Sequence, residues 1–217
     1  MMIVEIALGW TRRTPAASYR RRGRRGIVGT MSLLPPGVSA PDGTRSERLV
    51  MRPLSVVHVE IDYDAVMSSA AMLRRWSQTS WPEDDFMQAQ NHADLERHER
   101  EHGEGTAFTY TVLDPGGIRC LGCVYITRLT PVEAAVAGAD GCLAKVAFWV
   151  RADEIPNDLD RHLLSVLRDW LDHAWPFDTV VFTIADEESR QTSLLEDAGL
   201  DGVPITLRDG RRRGVFR

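Results

Sequence analysis

Residues 98–102 read His98-Glu99-Arg100-Glu101-His102, two histidines four apart with a glutamate beside the first. On a helix that spacing puts both imidazoles on one face, where they could chelate zinc while the glutamate serves as base. A catalytic zinc helix has to be buried to hold its ligands and exclude water. Here the intervening positions are Arg100 and Glu101, Gly103 and Gly105 end the segment at once, and Phe108 stands where the longer pattern needs a third histidine. A zinc metallopeptidase is accordingly the weakest reading. Cys120-Leu121-Gly122-Cys123 is a CxxC with no second pair in the chain. It falls in an expected strand, where residues three apart point to opposite faces, so buried apolar thiols are expected rather than a metal or redox pair.

A third place for chemistry is the turn between an expected strand ending at Arg151 and a helix beginning near Leu159. A helix N-terminus offers unpaired N–H groups and the positive end of the dipole, which together favour an anion. Asn157 and Asp158 are good capping residues, so this helix can also satisfy its own amides. Asp158 and Asp160 repel an anion, and Arg151 and Arg161 offset part of that charge. Glu188 and Ser189 stand where a further helix begins.

The elements that must position these residues follow from periodicity. A short strand is expected over 48–54. Tyr63, Val66, Met67, Ala70, Leu73 and Trp76 recur at helical spacing and predict a helix over 62–76, with a second over 84–102. Phe108, Tyr110 and Val112 alternate with threonines, Asp114-Pro115-Gly116-Gly117 supplies turn chemistry, and 118–126 returns as a hairpin. The small-residue stretch 131–141 reads as a loop, and 144–151 alternates as a strand. Leu159, Leu163, Val166, Leu167, Trp170, Leu171 and Ala174 form one apolar helical stripe. A buried strand over 178–184, a helix over 187–198 stopped by Gly199, and a last hairpin from 203–207 and 214–217 complete the chain.

The 217 residues, 43% hydrophobic and 26% charged, suit one globular domain, and no apolar run approaches the roughly 20 residues needed to span a bilayer. Three cysteines argue against a disulfide framework and for a reducing, cytoplasmic setting. Residues 1–46 are rich in Arg, Gly, Pro and Ser and are expected to be a disordered extension, with Met31 favoured as the true start over a targeting role for residues 1–30. The first 30 residues hold seven arginines against Glu5 alone, so the formal charge of −5 leaves −11 for the remainder. An acidic body is a poor partner for nucleic acid and suits a cationic or amine-bearing substrate.

The order strand, two helices, hairpin, strand, helix, strand, helix, short strands resembles the GNAT superfamily of acyl-CoA N-acyltransferases. Arg52-Pro53-Leu54 is similar to the family's first-strand R-P-L, and Gly122 sits where its third strand usually has a glycine. Leu194-Leu195-Glu196-Asp197-Ala198-Gly199-Leu200 is similar to its L-Y-E-K-x-G-F ending. The resemblance covers about residues 48–207. It implies an α/β (α+β) domain over 47–217, with a mixed central sheet of about six or seven strands and helices on both faces. It also implies acetyl-CoA as co-substrate. The main chain of Phe148, Trp149, Val150 and Arg151 would meet the pantetheine arm, and Asn157, Asp158, Leu159 and Arg161 would surround the pyrophosphate. The family's turn reads Q/R-x-x-G-x-G/A, whereas Pro156, Asp158 and Asp160 stand in place of glycines here. Leu195 replaces the tyrosine that often protonates the departing thiolate.

On that resemblance Glu188 is the candidate base, with Asp84 or Asp85 as alternatives, and Ser189 is the nearest hydroxyl. Tyr110 and Tyr125 lie on hairpin strands that could face the acceptor. The leading expectation is transfer of an acetyl or other acyl group to a small-molecule or peptide amine. The alternative is a GNAT-fold domain that has lost catalysis and acts as a binding or regulatory module. Oligomeric state stays open, a homodimer included.

Overall fold

The computed structural model describes residues 32–138, 141–186 and 188–217. The arginine-rich start at 1–30, with Met31, lies outside them. Eight strands form one sheet: β1 (Thr44–Arg45), β2 (Val50–Pro53), β3 (Phe108–Leu113), β4 (Cys120–Thr127), β5 (Leu143–Val150), β6 (Thr179–Ala185), β7 (Gly202–Thr206) and β8 (Arg212–Phe216). Their order is β1-β2-β3-β4-β5-β6-β8-β7, and every neighbouring pair is antiparallel except β5 and β6. The expected last hairpin exists, with its second strand inserted against β6. The mixed sheet agrees with the expected class, with one strand more than the upper expectation.

Helices cover both faces: α1 (Val59–Ser68), α2 (Ala70–Ser77), α3 (Gln88–Glu104), α4 (Pro131–Ala137), α5 (Leu159–Ala174) and α6 (Ser189–Asp197). On one face Val146, Phe148, Val150, Phe182 and Ile184 pack with Leu163, Leu167 and Trp170 of α5 and Leu194 and Leu195 of α6. On the other, Ala147, Trp149, Cys123 and Tyr125 pack with Ala65 and Val66 of α1 and Leu73 and Trp76 of α2. Burying each large apolar side chain contributes about 1.5–3 kcal/mol, and the α5 stripe supplies several at once.

Four expectations change. The helix expected over 62–76 is two helices, because Ser69 leaves helical geometry (φ −112°, ψ 10°) and its hydroxyl accepts from the Ala152 amide at 3.1 Å. The small-residue loop contains α4: Thr130 caps it, Pro131 opens it, and Glu133 bonds back to the Thr130 amide at 2.7 Å. Residues 32–46 pack instead of forming part of a disordered extension. Leu33 and Leu34 are buried, Tyr110 donates to the Pro41 carbonyl at 2.6 Å, and β1 pairs with β2. The folded unit therefore starts before position 47, since two leucines have core to bury in.

The fourth change concerns the cysteines. Val112 pairs with Gly122 but Leu113 with Cys120, so Leu121 is an extra residue on β4, a β-bulge. Leu121 turns to the α5 face while Cys120 and Cys123 end on the same face, against α1. The opposite-face expectation fails because strand alternation breaks at one residue. Gly122 lies under the bulge, where a Cβ would stand 2.1 Å from the Trp149 carbonyl oxygen.

Candidate active site

Strands β5 and β6 pair from Leu143↔Thr179 only as far as Val146↔Phe182. Beyond that point β5 stays with β4 and β6 with β8, so the C-terminal halves of the two parallel strands part and leave a wedge. The Phe148 carbonyl faces the wedge, where it accepts from Gln191 Nε2 at 2.9 Å. Val150, two residues on, presents its backbone groups the same way. Gln191 Oε1 is buried and has no partner among the described residues.

A cavity of about 280 Å³ lies beside the wedge, lined by Met72, Arg75 and Trp76 of α2, Trp149 and Val150 of β5, Ile155, Asp160, and Glu188 to Gln191. The parting strands and the start of α6 thus bring the candidates Trp149, Val150, Glu188 and Ser189 together. The Glu188 side chain is mostly covered, with Oε1 3.9 Å from Arg75 Nε, and Ser189 is exposed. A larger cavity of about 690 Å³ between α5 and α6 touches Arg161 but neither Glu188 nor Ser189. The smaller one holds both expected proton-transfer candidates, Glu188 and Ser189.

The turn after β5 is a 3-10 segment, Ala152–Asn157, followed by Asp158 in the left-handed region (φ 53°, ψ 33°). Asp158 thus holds a backbone conformation that glycine adopts most easily. Asp158 stands at the N-cap of α5, but its side chain makes no capping hydrogen bond; the Asn157 amide donates to Glu154 at 3.0 Å and, with Arg119, holds that carboxyl below its ordinary range. The turn is closed by other groups. The buried Asp160 accepts the Arg161 amide at 2.9 Å and takes Arg190 Nε at 2.6 Å and Nη2 at 2.8 Å. Arg190 Nη2 also reaches Asp158 at 2.9 Å and the Ile155 carbonyl at 3.2 Å. Hydrogen bonds to Asp160 and Asp158 hold the Arg190 guanidinium well above its ordinary pKa. A single arginine therefore ties the start of α6 across the mouth of α5.

Several candidates sit elsewhere than expected. Arg151 is buried and committed to carboxylates, Asp64 of α1 at 2.5 Å and Asp153 of the turn itself at 3.3 Å. Arg161 pairs with Asp197 at 3.0 Å on the exposed flank, and Leu159 is core. Neither the Arg151 nor the Leu159 side chain lies free to meet an anion, because each is needed for packing. Tyr110 and Tyr125 face the interior, and burial pushes both hydroxyls up. Asp84 is exposed and bound to Arg74 at 2.6 Å, away from the cavity. Leu195 is fully buried, so no hydroxyl stands there.

His98 is buried against expectation, bonded through Nδ1 to Thr109 at 3.0 Å. His102 stacks edge-on against Phe108 and Tyr110. The two imidazoles serve different parts of the core and do not converge with Glu99, which accepts the Val56 amide at 3.3 Å.

Sequence reasoning missed Arg190, Gln191, Met72, Arg75 and Trp76. The first two sit in the opening turn of a helix aimed at the wedge, and no spacing rule marks that. Trp76 was visible only as part of an apolar stripe.

A mixed sheet whose two neighbouring parallel strands part beside a helix start is the arrangement of the acyl-CoA N-acetyltransferase, or GNAT, fold. Comparison with solved structures bears this out. RimL, a ribosomal-protein α-N-acetyltransferase solved in complex with coenzyme A, superposes with a TM-score of 0.62 at 12% identity, over 79% of this chain and 93% of that one. The ribosomal-protein-S5-alanine acetyltransferase of Vibrio fischeri gives 0.62 at 14% identity, covering 80% and 94%. MccE, a microcin C7 self-immunity acetyltransferase solved with acetyl-CoA and AMP, gives 0.63 at 9% identity, covering 82% and 96%. No family model and no curated protein sequence matches the chain.

Proposed function

We propose that this protein transfers an acyl group, acetyl in the first instance, from acyl-CoA to an amine acceptor. The parting of β5 and β6 after Val146 and Phe182 carries the reading. It leaves the backbone edge at Val150, beyond the Phe148 carbonyl that Gln191 takes, for an extended amide-bearing arm, and the orphan Gln191 Oε1 for one of that arm's N–H groups. An unmade buried hydrogen bond costs about 1–3 kcal/mol, so a ligand that supplies the donor gains it back. Similar folds bind coenzyme A and acetyl-CoA.

The chemistry then needs a neutral amine near the thioester carbon. Glu188, partly desolvated at the cavity wall, takes the ammonium proton directly or through water, and the amine attacks the carbonyl. Collapse of the tetrahedral species breaks the C–S bond, the attacking nitrogen gives up its second proton to solvent, and the CoA thiolate is protonated by solvent, directly or relayed through the Ser189 hydroxyl. Trp76 and Trp149 give the acceptor cavity aromatic walls, and the acidic body favours a cationic acceptor.

One observation favours the alternative, a GNAT-fold binding module. The Arg190 clamp and the carboxylates of Asp158 and Asp160 occupy the mouth where a diphosphate would sit. Release of free thiol from acetyl-CoA, followed against a panel of primary amines and N-terminal peptides, tests the transferase reading. Acceptor-dependent release supports it; binding without release by any acceptor supports the module.

A further inference from the structure

The bulge in β4 builds a second cluster, which shares no residue with the Arg190 clamp. Asp62 of α1 is buried together with Cys120 and Cys123, and one ligand atom from each lies within 4.8 Å of the others. Asp62 Oδ1 stands 3.5 Å from Cys123 Sγ and 4.0 Å from Cys120 Sγ. The other carboxylate oxygen is held by Asn91 Nδ2 at 2.9 Å, which fixes the orientation of the first. With Zn–S near 2.3 Å and Zn–O near 2.1 Å, a sulfur-to-oxygen edge of a tetrahedral zinc site is about 3.6 Å. The measured separations bracket that value.

Burial among neutral partners disfavours the ionised carboxylate, which is held here only when a cation joins it. Asp62 is surrounded by an amide and two thiols, none of them charged. A void of about 10 Å³, room for a single water, opens beside Asp62 and Cys123 but not Cys120, with Asn91, Asp94, His98 and the apolar Leu54, Val66 and Leu95 among its walls. It leaves room for a water on the Asp62 and Cys123 side of the cluster.

We propose that Asp62, Cys120 and Cys123 form a zinc site that fastens α1 to β4, with water in the fourth position. Both thiols, and the Asp62 carboxyl where it is protonated, lose their protons to solvent as the ion enters, and no redox change is involved. A carboxylate oriented by an outer amide and two thiolates on a rigid bulge suit a thiophilic divalent ion. Because α1 runs into α2, which carries Met72, Arg75 and Trp76, the ion would also stiffen the acceptor wall.

The test is the metal content of tag-free full-length protein produced in medium supplemented with Zn²⁺ or, separately, Co²⁺, and purified under reductant. The expected result is one ion per chain surviving gel filtration, a thiolate-to-cobalt charge-transfer band in the near ultraviolet, and loss of both in Cys123→Ser. Cys142→Ser, which lies outside the cluster, should retain both. The wild-type cobalt spectrum decides the matter even if the cluster variants fold poorly. Substoichiometric metal with all three thiols free, a cobalt form without the thiolate band, or a Cys120–Cys123 disulfide in the isolated protein would each overturn the proposal.

Discussion

Replacing Asp158 by glycine should tighten acetyl-CoA binding while leaving the fold nearly as stable. The Asp158 and Arg190 side chains are 65% and 43% exposed, so their ion pair is worth only about 0–1 kcal/mol. Against that loss, glycine relieves a left-handed backbone that costs an aspartate up to about 1 kcal/mol. The two nearly cancel. For the ligand, a carboxylate about 6 Å from each of two diphosphate charges repels each by ~0.9 kcal/mol at an effective dielectric near 60. Screening at physiological salt removes roughly half of that, leaving ~1 kcal/mol, or about a fivefold change in dissociation constant. Calorimetry of Asp158→Gly against wild type reads the affinity, and denaturant unfolding reads the stability. An affinity within twofold of wild type, in a variant of unchanged stability, would show that the diphosphate does not lie at this turn.

Arg190→Ala should cost about 1–3 kcal/mol, between the exposed and buried limits for ion pairs, because it strands the buried Asp160 carboxylate. Unfolding would then fall by roughly 3–10 °C, and Asp160→Leu in the same background should recover part of it. Glu188→Gln should lower kcat by about 10²-fold with acetyl-CoA affinity unchanged, as measured by steady-state thiol release and calorimetry; equal loss in both would assign Glu188 to binding. Burial raises the Asp62 pKa above its unfolded value of about 4, so the native state binds the extra proton and stability falls as pH rises through that window. In chelator-treated protein, Asp62→Asn should therefore be near neutral at pH ~4 and stabilising above pH ~7 by denaturant titration; a gain confined to acid contradicts the sign.

Most of the architecture was legible because long periodic segments state their own geometry. The stripe from Leu159 to Ala174 and the alternation through Phe108, Tyr110 and Val112 gave α5 and β3 without any tertiary information. What escaped depends on single residues that break a period. Ser69 divides one helix into two by accepting a distant amide, and Leu121 moves two cysteines onto one face. The site was half legible. Glu188, Ser189, Trp149 and Val150 do meet at one cavity, whereas the guanidinium groups of Arg151 and Arg161, expected to offset the acids of the turn, are already committed to Asp64, Asp153 and Asp197. Arginine in a charge-dense chain finds carboxylates first, and sequence spacing does not reveal which. The acids in place of glycines were correctly noticed as a departure, but their partner Arg190 lies 30 residues or more away.

The most direct measurement is calorimetric titration of the full-length protein with acetyl-CoA at physiological salt, alongside desulfo-CoA and adenosine diphosphate. Saturable binding of acetyl-CoA and desulfo-CoA well below millimolar concentration, far tighter than adenosine diphosphate alone, is expected if the wedge between β5 and β6 takes the pantetheine arm. No heat and no thermal stabilisation with acetyl-CoA at millimolar concentration would contradict acyl transfer and leave the fold without its proposed co-substrate.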